Sequence, residues 1–321
     1  MPAPTRRPTG PLPARVRALL LGVLVLPAAV ALAREDGHAA CELRVGDRVI
    51  LLGDAFLERE GERGAIETAL VATHPGAGLT IRNLGWSGDT VWAEARGVFD
   101  APSAGYARMI ELVGSLEPTV VLVAYGRNES FAGPAGVAAF RTQLATLCRD
   151  LRALRGDDPP RLVLVTPPPF EATPPLPAAI AAARNEALAA YAAAIRAVAS
   201  DERAGVVDLF ASLEGAAPPG ERLTENGIHL SHAGYDAAAA VFAAAFGRPV
   251  SGDFAGRTGA LREAVVTKNR LFFHRWRPAN ETYLFLFRRH EQGNNAVEIP
   301  QFDPLVAEAE ATVRTLAEEP R

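Results

Sequence analysis

His229 is one of six histidines, the side chains suited to move a proton near neutral pH, and it stands three residues after Asn226 in the run Asn226-Gly227-Ile228-His229. Three other short runs precede it: Gly53-Asp54-Ala55, Ser87-Gly88-Asp89-Thr90 and Gly126-Arg127-Asn128-Glu129. Carboxylates, a carboxamide and glycine-flanked backbone amides in one set are the parts from which general acid-base chemistry and oxyanion binding are assembled. Acyl transfer also needs an attacking group and something to orient the base. Asp54 and Glu58 are placed to hold or deprotonate a water, and Glu225 to orient His229 if the loop shifts by one residue. Ser130 and Ser231 read as a loop hydroxyl and a helix cap. His74, His232, His274 and His290 lack metal-ligand spacing, so no metal site is expected.

These runs need elements to hold them. Strand-like apolar segments at 48–52, 79–84, 119–124, 161–166 and 206–209 alternate with helical patterns at 57–73, 106–116, 136–155 and 180–199, and a last helix is expected over 231–246. The alternation predicts an α/β fold, a parallel sheet with helices on both faces. The unbroken apolar runs 120–124 and 162–165 fit strands buried on both sides. In such a sheet the loops leaving the carboxyl ends of the strands line the ligand crevice. Asp54-Ala55 follows the first strand, Ser87-Gly88 the second, Asn128 the third, and His229 lies in the loop after the fifth. Pro167-Pro168-Pro169 supplies a stiff wall after the fourth.

In order, spacing and flanking apolar runs, the four segments resemble those of the SGNH (GDSL) hydrolases over residues 48–247. The resemblance implies a three-layer flavodoxin-like domain, ester hydrolysis of acyl or acetyl groups on carbohydrates or lipids, and no cofactor. It assigns His229 as base, Asn226 to the orienting position where the family has aspartate, and Ala55 to the position of the nucleophilic serine. It also assigns the Ala55 amide, Gly88 and Asn128 as oxyanion donors. By the same resemblance Ser87 is a turn hydroxyl, and Glu129 replaces an aspartate. The donors persist while nucleophile and orienter are lost. Losing such a nucleophile costs on the order of a millionfold in turnover, roughly 8 kcal/mol. Asparagine in the orienting position favours the wrong imidazole tautomer.

The first expectation is therefore a binding protein for a small-molecule or carbohydrate ester, a pseudoenzyme with Asp54, Asn226 and His229 in the old catalytic positions. The alternatives are an active hydrolase in which His229 activates water, and a structural envelope protein. Trp86 and Trp92 flank the second segment, where aromatic rings line a sugar or acyl pocket or simply pack.

The chain has 321 residues, 49% of them apolar and 22% charged, with a formal charge of -4. That balance argues against disorder, against nucleic acid as a partner and against general adhesion to an anionic membrane. Arg6, Arg7, Arg15 and Arg17 precede the apolar run 18–32 and Ala31-Leu32-Ala33, the pattern of a cleaved secretory signal over residues 1–33. The run is too short for a stable membrane span and contains Pro27. The mature protein is expected in the periplasm or outside the cell. Cys41 and Cys148 could pair there, but Cys148 falls in a helical pattern, where a buried thiol is the commoner fate.

The domain organisation expected is a signal at 1–33, an SGNH-like domain at 34–247 and an extension at 248–321 packed on it by its aromatic residues, ending in a helix over 304–318. The competing expectation is that His290, Glu291, Asn294 and Asn295 reach over the crevice as a lid.

Overall fold

The computed structural model describes Met1 and residues 38–319. The expected signal segment, residues 1–33, lies outside this range apart from Met1. The chain runs β1 (Arg48–Gly53), α1 (Ala55–Arg63), α2 (Ala65–Thr73), β2 (Thr80–Gly85), α3 (Pro102–Ser115), β3 (Val120–Ala124), α4 (Val137–Ala153), β4 (Arg161–Thr166), α5 (Ala178–Asp201), β5 (Gly205–Asp208), α6 (Leu209–Leu213) and α7 (His232–Ala245). It continues through α8 (Phe254–Arg257), α9 (Gly259–Trp276), α10 (Glu281–Leu284), α11 (Arg289–Gln292) and α12 (Phe302–Glu318).

Among the described residues the strands form one parallel sheet in the order β2-β1-β3-β4-β5. Because side chains alternate along a strand, each central strand feeds two cores. Val49, Leu51, Val120, Leu122, Val163 and Val165 pack with Ile66 and Leu70 of α2 and Tyr235 and Phe242 of α7. Ile50, Leu52, Val121, Val123, Leu162 and Leu164 pack on the other face with Met109 of α3, Phe140 and Leu147 of α4 and Ile195 of α5. This is the expected α/β fold, with a five-stranded parallel sheet between helical layers.

The sequence pattern at 57–73 predicts one helix, and the structure has two. Gly64 ends α1 in the left-handed region at φ +63°, and a side chain there would press on Val266. Glu60 caps the new start, its Oε1 accepting from the amides of Ile66 at 2.7 Å and Glu67 at 3.2 Å. Burial pushes the Glu60 carboxyl up to about 8.

The larger departure is α9, an 18-residue helix in a region whose sequence lacks an obvious repeat. Its buried residues, Leu261, Val265, Lys268, Asn269 and Phe272, share one face at helical spacing. Two of them are polar, which breaks the apolar period on which a sequence-based expectation depends. The helix packs along the edge strand β2, where Lys268 Nζ donates to Ile81 O at 2.9 Å and pairs with the buried Glu67 at 2.8 Å. An exposed edge strand is a template for unwanted pairing, and here α9 covers it. Arg82 of β2 is paired with Glu310 of α12.

Among the described residues no disulfide joins Cys41 and Cys148; both are buried, and Cys41 Sγ lies 3.6 Å from Val206 O. No helix among them is long and apolar enough to cross a membrane.

Candidate functional site

The carboxyl ends of β1, β2 and β3 meet where their residues are smallest. Gly53 pairs with Gly85 on one side and Ala124 on the other. A Cβ on Gly53 would lie 2.4 Å from Ala124 O, and one on Gly85 would lie 2.1 Å from the Glu58 nitrogen. Only glycine lets α1 start this close to the sheet. Asp54 caps that helix, its Oδ1 accepting from the Phe56 amide at 2.9 Å. Ala55 is the first helical residue, so its methyl stands at the start of α1.

Among the described residues the Ala55 amide has no hydrogen-bond partner, and neither has that of Gly88. Gly88 holds φ +78° and has open space where a side chain would be. Left-handed backbone is the reason for glycine here, and the result is an unencumbered donor. Asn128 donates from Nδ2 to Asp89 O at 2.6 Å, leaving its second amide hydrogen available.

Backbone and buried ionic contacts join the four segments. The Trp86 amide donates to Gly53 O at 2.9 Å, linking the second segment to the first. Glu129 links the second to the third, accepting from the Val91 amide at 2.7 Å and the Gly126 amide at 2.8 Å. Its burial pushes its carboxyl up to about 7. Asp89 is fully buried; Arg96 Nε donates to it at 2.6 Å and Tyr125 Oη at 2.8 Å, while Arg96 Nη2 donates to Leu84 O at 2.7 Å. Arg127 links the third segment to the last. It donates to Ile228 O at 2.9 Å and to Pro168 O on the proline wall, with its guanidinium 5.1 Å from the Phe170 ring centroid.

Asp54 sits in the field of that guanidinium. Burial raises its carboxyl to about 6, against the opposing pull of Arg127 and of the Phe56 amide. It can therefore exchange a proton close to neutral pH. Glu58 cannot serve as a free water-holding carboxylate, because it accepts from the Ser87 amide at 2.9 Å, the Ser87 hydroxyl at 2.8 Å and Arg277 at 2.5 Å. Burial alone would raise its carboxyl, and these bonds outweigh it and hold it below the usual range.

In the last loop the carboxamide oxygen of Asn226 accepts from the Ile228 amide at 3.1 Å and the His229 amide at 2.9 Å. It shapes the backbone and does not reach the imidazole. The His229 ring is half-buried, with no hydrogen bond to it among the described residues. Desolvation, then the nearby Arg59 and Arg127, lower its pKa, with Glu225 opposing them, so the neutral ring is favoured at pH 7. Glu225 does not take over the orienting role: its carboxylate is gripped by Arg59 at 2.6 Å and Arg63 at 2.5 Å, both from α1. Ser231 caps α7 through the Gly234 amide, and Ser130 donates to Arg127 O at 2.6 Å.

Several contributors had no sequence signal. Glu171 accepts from the Leu223 and Thr224 amides and anchors the histidine loop to the wall. Arg277, from the end of α9, lies 3.7 Å above the Trp86 ring centroid and bonds Glu58, so the extension reaches the second segment through this residue. Of the residues in the competing lid expectation, His290, Asn294 and Asn295 are exposed, and Glu291 accepts from Arg288 at 2.6 Å. Trp86 and Trp276 sit 5.8 Å apart with tilted rings. Among the described residues no cluster of His, Cys, Asp or Glu has the arrangement of a metal site.

The chain is similar in fold to a gut microbial diltiazem-metabolizing enzyme, at a TM-score of 0.51 and 18% identity over 66% of this chain and 49% of that one, so it spans about half of that protein's length. It is similar at the same TM-score to a protein described as a GDSL-like lipase from Parabacteroides merdae, at 16% identity over 65% of this chain and 99% of that one. No curated protein matches it. The model of the GDSL-like lipase/acylhydrolase family matches residues 51–237, more than half of the sequence and all four segments, and the chain belongs to that family.

Proposed function

We propose that this protein is an exported binder of esters, carried on carbohydrate or lipid, in which the family's hydrolytic step is weakened or lost. The observation that carries this reading is a methyl group at Ala55, at the start of α1, together with amides at Ala55 and Gly88 that have no partner among the described residues. Open backbone donors of this kind can stabilise a carbonyl oxygen whether or not an attack follows. Without a hydroxyl no acyl-enzyme forms, and the Asn226 oxygen is engaged by backbone. His229, Asn226 and Asp54 then act as groups that contact or frame the ligand, and Asn128 supplies a third donor.

A second reading is favoured by one observation, the half-buried His229 ring, which desolvation and the nearby Arg59 and Arg127 hold in the neutral form. In it His229 removes a proton from water, and the water oxygen attacks the ester carbonyl above the same amides. The mature protein incubated with aryl acetates, acetylated sugars and a serine-directed phosphonate separates the two. Binding of an acetylated ligand with no turnover and no label supports the first reading; turnover that disappears in His229→Ala supports the second.

A further inference from the structure

Gly88 stands at the third position of a four-residue turn. The Asp89 amide closes the turn on Trp86 O at 3.0 Å, and Gly88 holds φ +78° while Ser87 does not share the positive φ. That is the pattern of a type II turn, whose central peptide is turned the opposite way from that of a type I turn. Where the Gly88 amide points therefore depends on how the turn is held. Ser87 and Gly88 are both exposed, so the interior does not hold them by packing.

The far corner is secured from within, since Asp89 is fully buried with Arg96 and Tyr125 on its carboxylate and Asn128 on its carbonyl. The near corner is secured from the extension. Glu58 accepts from the Ser87 amide at 2.9 Å and the Ser87 hydroxyl at 2.8 Å, and Arg277 Nη1 donates to the same carboxylate at 2.5 Å. The Arg277 guanidinium also lies 3.7 Å above the Trp86 ring centroid. Two of the turn's four residues thus answer to one side chain, which lies beyond the residues 51–237 that define the family. Arg277 is itself fixed. It ends α9, its amide donating to Phe273 O at 2.8 Å, and α9 is tied to β2 through Lys268. A turn ordered before the ligand arrives spares binding the entropy of ordering it.

We infer that Arg277 is a positioning residue for the crevice: through Glu58 and Trp86 it holds the turn over Trp86–Asp89 in the conformation that offers the Gly88 amide to a ligand carbonyl. The ligand half of this inference rests on the ester-binding reading, and the turn half on the contacts alone. The extension is then a working part of the site, with α9 as the frame that carries Arg277.

Arg277→Met keeps an apolar stem and removes the charge, whereas Arg277→Lys keeps a donor for the single bond to Glu58 and a cation for the Trp86 ring. In native-state hydrogen exchange of the full mature chain, followed by NMR, the Ser87 amide should exchange about tenfold faster in R277M and close to the wild-type rate in R277K, the scale of one charge-assisted hydrogen bond. Calorimetric titration with glucose pentaacetate should give an affinity about fivefold to tenfold weaker in R277M and within about twofold of the wild type in R277K. E58Q leaves α9 untouched and should also quicken Ser87 exchange, so it carries the test if R277M does not fold. Adding R277M to E58Q should weaken binding little further, because both act on the same turn. Unchanged Ser87 exchange in the folded variants, equal effects of R277M and R277K, or additive losses with E58Q would overturn the inference. Faster Ser87 exchange in R277M, with no binding of the acetate by the wild type, would support the anchoring and count against the ester-binding reading instead.

Discussion

The carboxamide oxygen of Asn226 is bonded to the backbone nitrogen of His229 at 2.9 Å and leaves the imidazole of the same residue without an orienting partner. An aspartate here would keep one oxygen on the backbone and bring a second, charged oxygen toward the ring. Converting Ala55 to serine alone should therefore yield a poor esterase. Adding Asn226→Asp should raise aryl acetate turnover by up to about ten-thousandfold, the scale of the tautomer effect in serine protease triads. Stopped assays on the single and double variants check this, and a folded double variant with no activity above the wild type would contradict the assigned roles.

Lys268 and Glu67 are both almost completely buried, at 1% and 2% side-chain exposure. Lys268→Met should strand the Glu67 carboxylate and destabilise the fold by about 3–5 kcal/mol, whereas Lys268→Met with Glu67→Leu should recover much of the loss. Urea denaturation followed by circular dichroism measures both. Equal stabilities for the single and double variants would show that the pair does not hold α9 to the sheet.

Arg127 is buried and donates to the Ile228 and Pro168 carbonyls, with the Asp54 carboxyl close enough to act on its charge. Arg127→Met should cost roughly 3 kcal/mol, and Arg127→Lys should restore little, since one ammonium does not reproduce the planar fork. The same denaturation experiment applies, with loss of ligand binding as the second readout.

Stability should fall between weakly acidic and weakly alkaline pH. Unfolded, Glu60 loses its proton near 4.5; folded, it keeps it to about 8. Across that window the folded state holds the extra proton, so its stability advantage is complete below the window and is lost as pH rises through it, at about 1.4 kcal/mol per unit. Glu129 at about 7 and Asp54 at about 6 act in the same direction over shorter windows. His229, whose pKa is lowered, acts in the opposite sense. Glu60→Gln cannot titrate and should flatten the slope between pH 5 and 8 in melting curves, about where the carboxyl titrates. An unchanged slope would assign the dependence to other groups.

Apolar period and punctuation in the sequence located the five strands to within a residue or two, because a strand buried on both faces must be continuously apolar and glycines must stand where backbones cross, and the four short segments carried the resemblance to the family. The absence of a serine at position 55 was legible in the same way, since it is a matter of residue type. Three things were decided by tertiary structure. The helix expected over 57–73 broke at Gly64, where a buried carboxyl group, Glu60, caps the second half from within. α9 formed on a face whose centre is Lys268 and Asn269, polar groups that become core only when Glu67 and Ile81 O are brought to them from far along the chain. Arg127, Glu171 and Arg277 acquired their places at the site through bonds to backbone and carboxylates from other segments. Periodicity is a local property and reports which face an element buries. The partner that makes a buried charge tolerable comes from elsewhere in the chain, and only folding selects it.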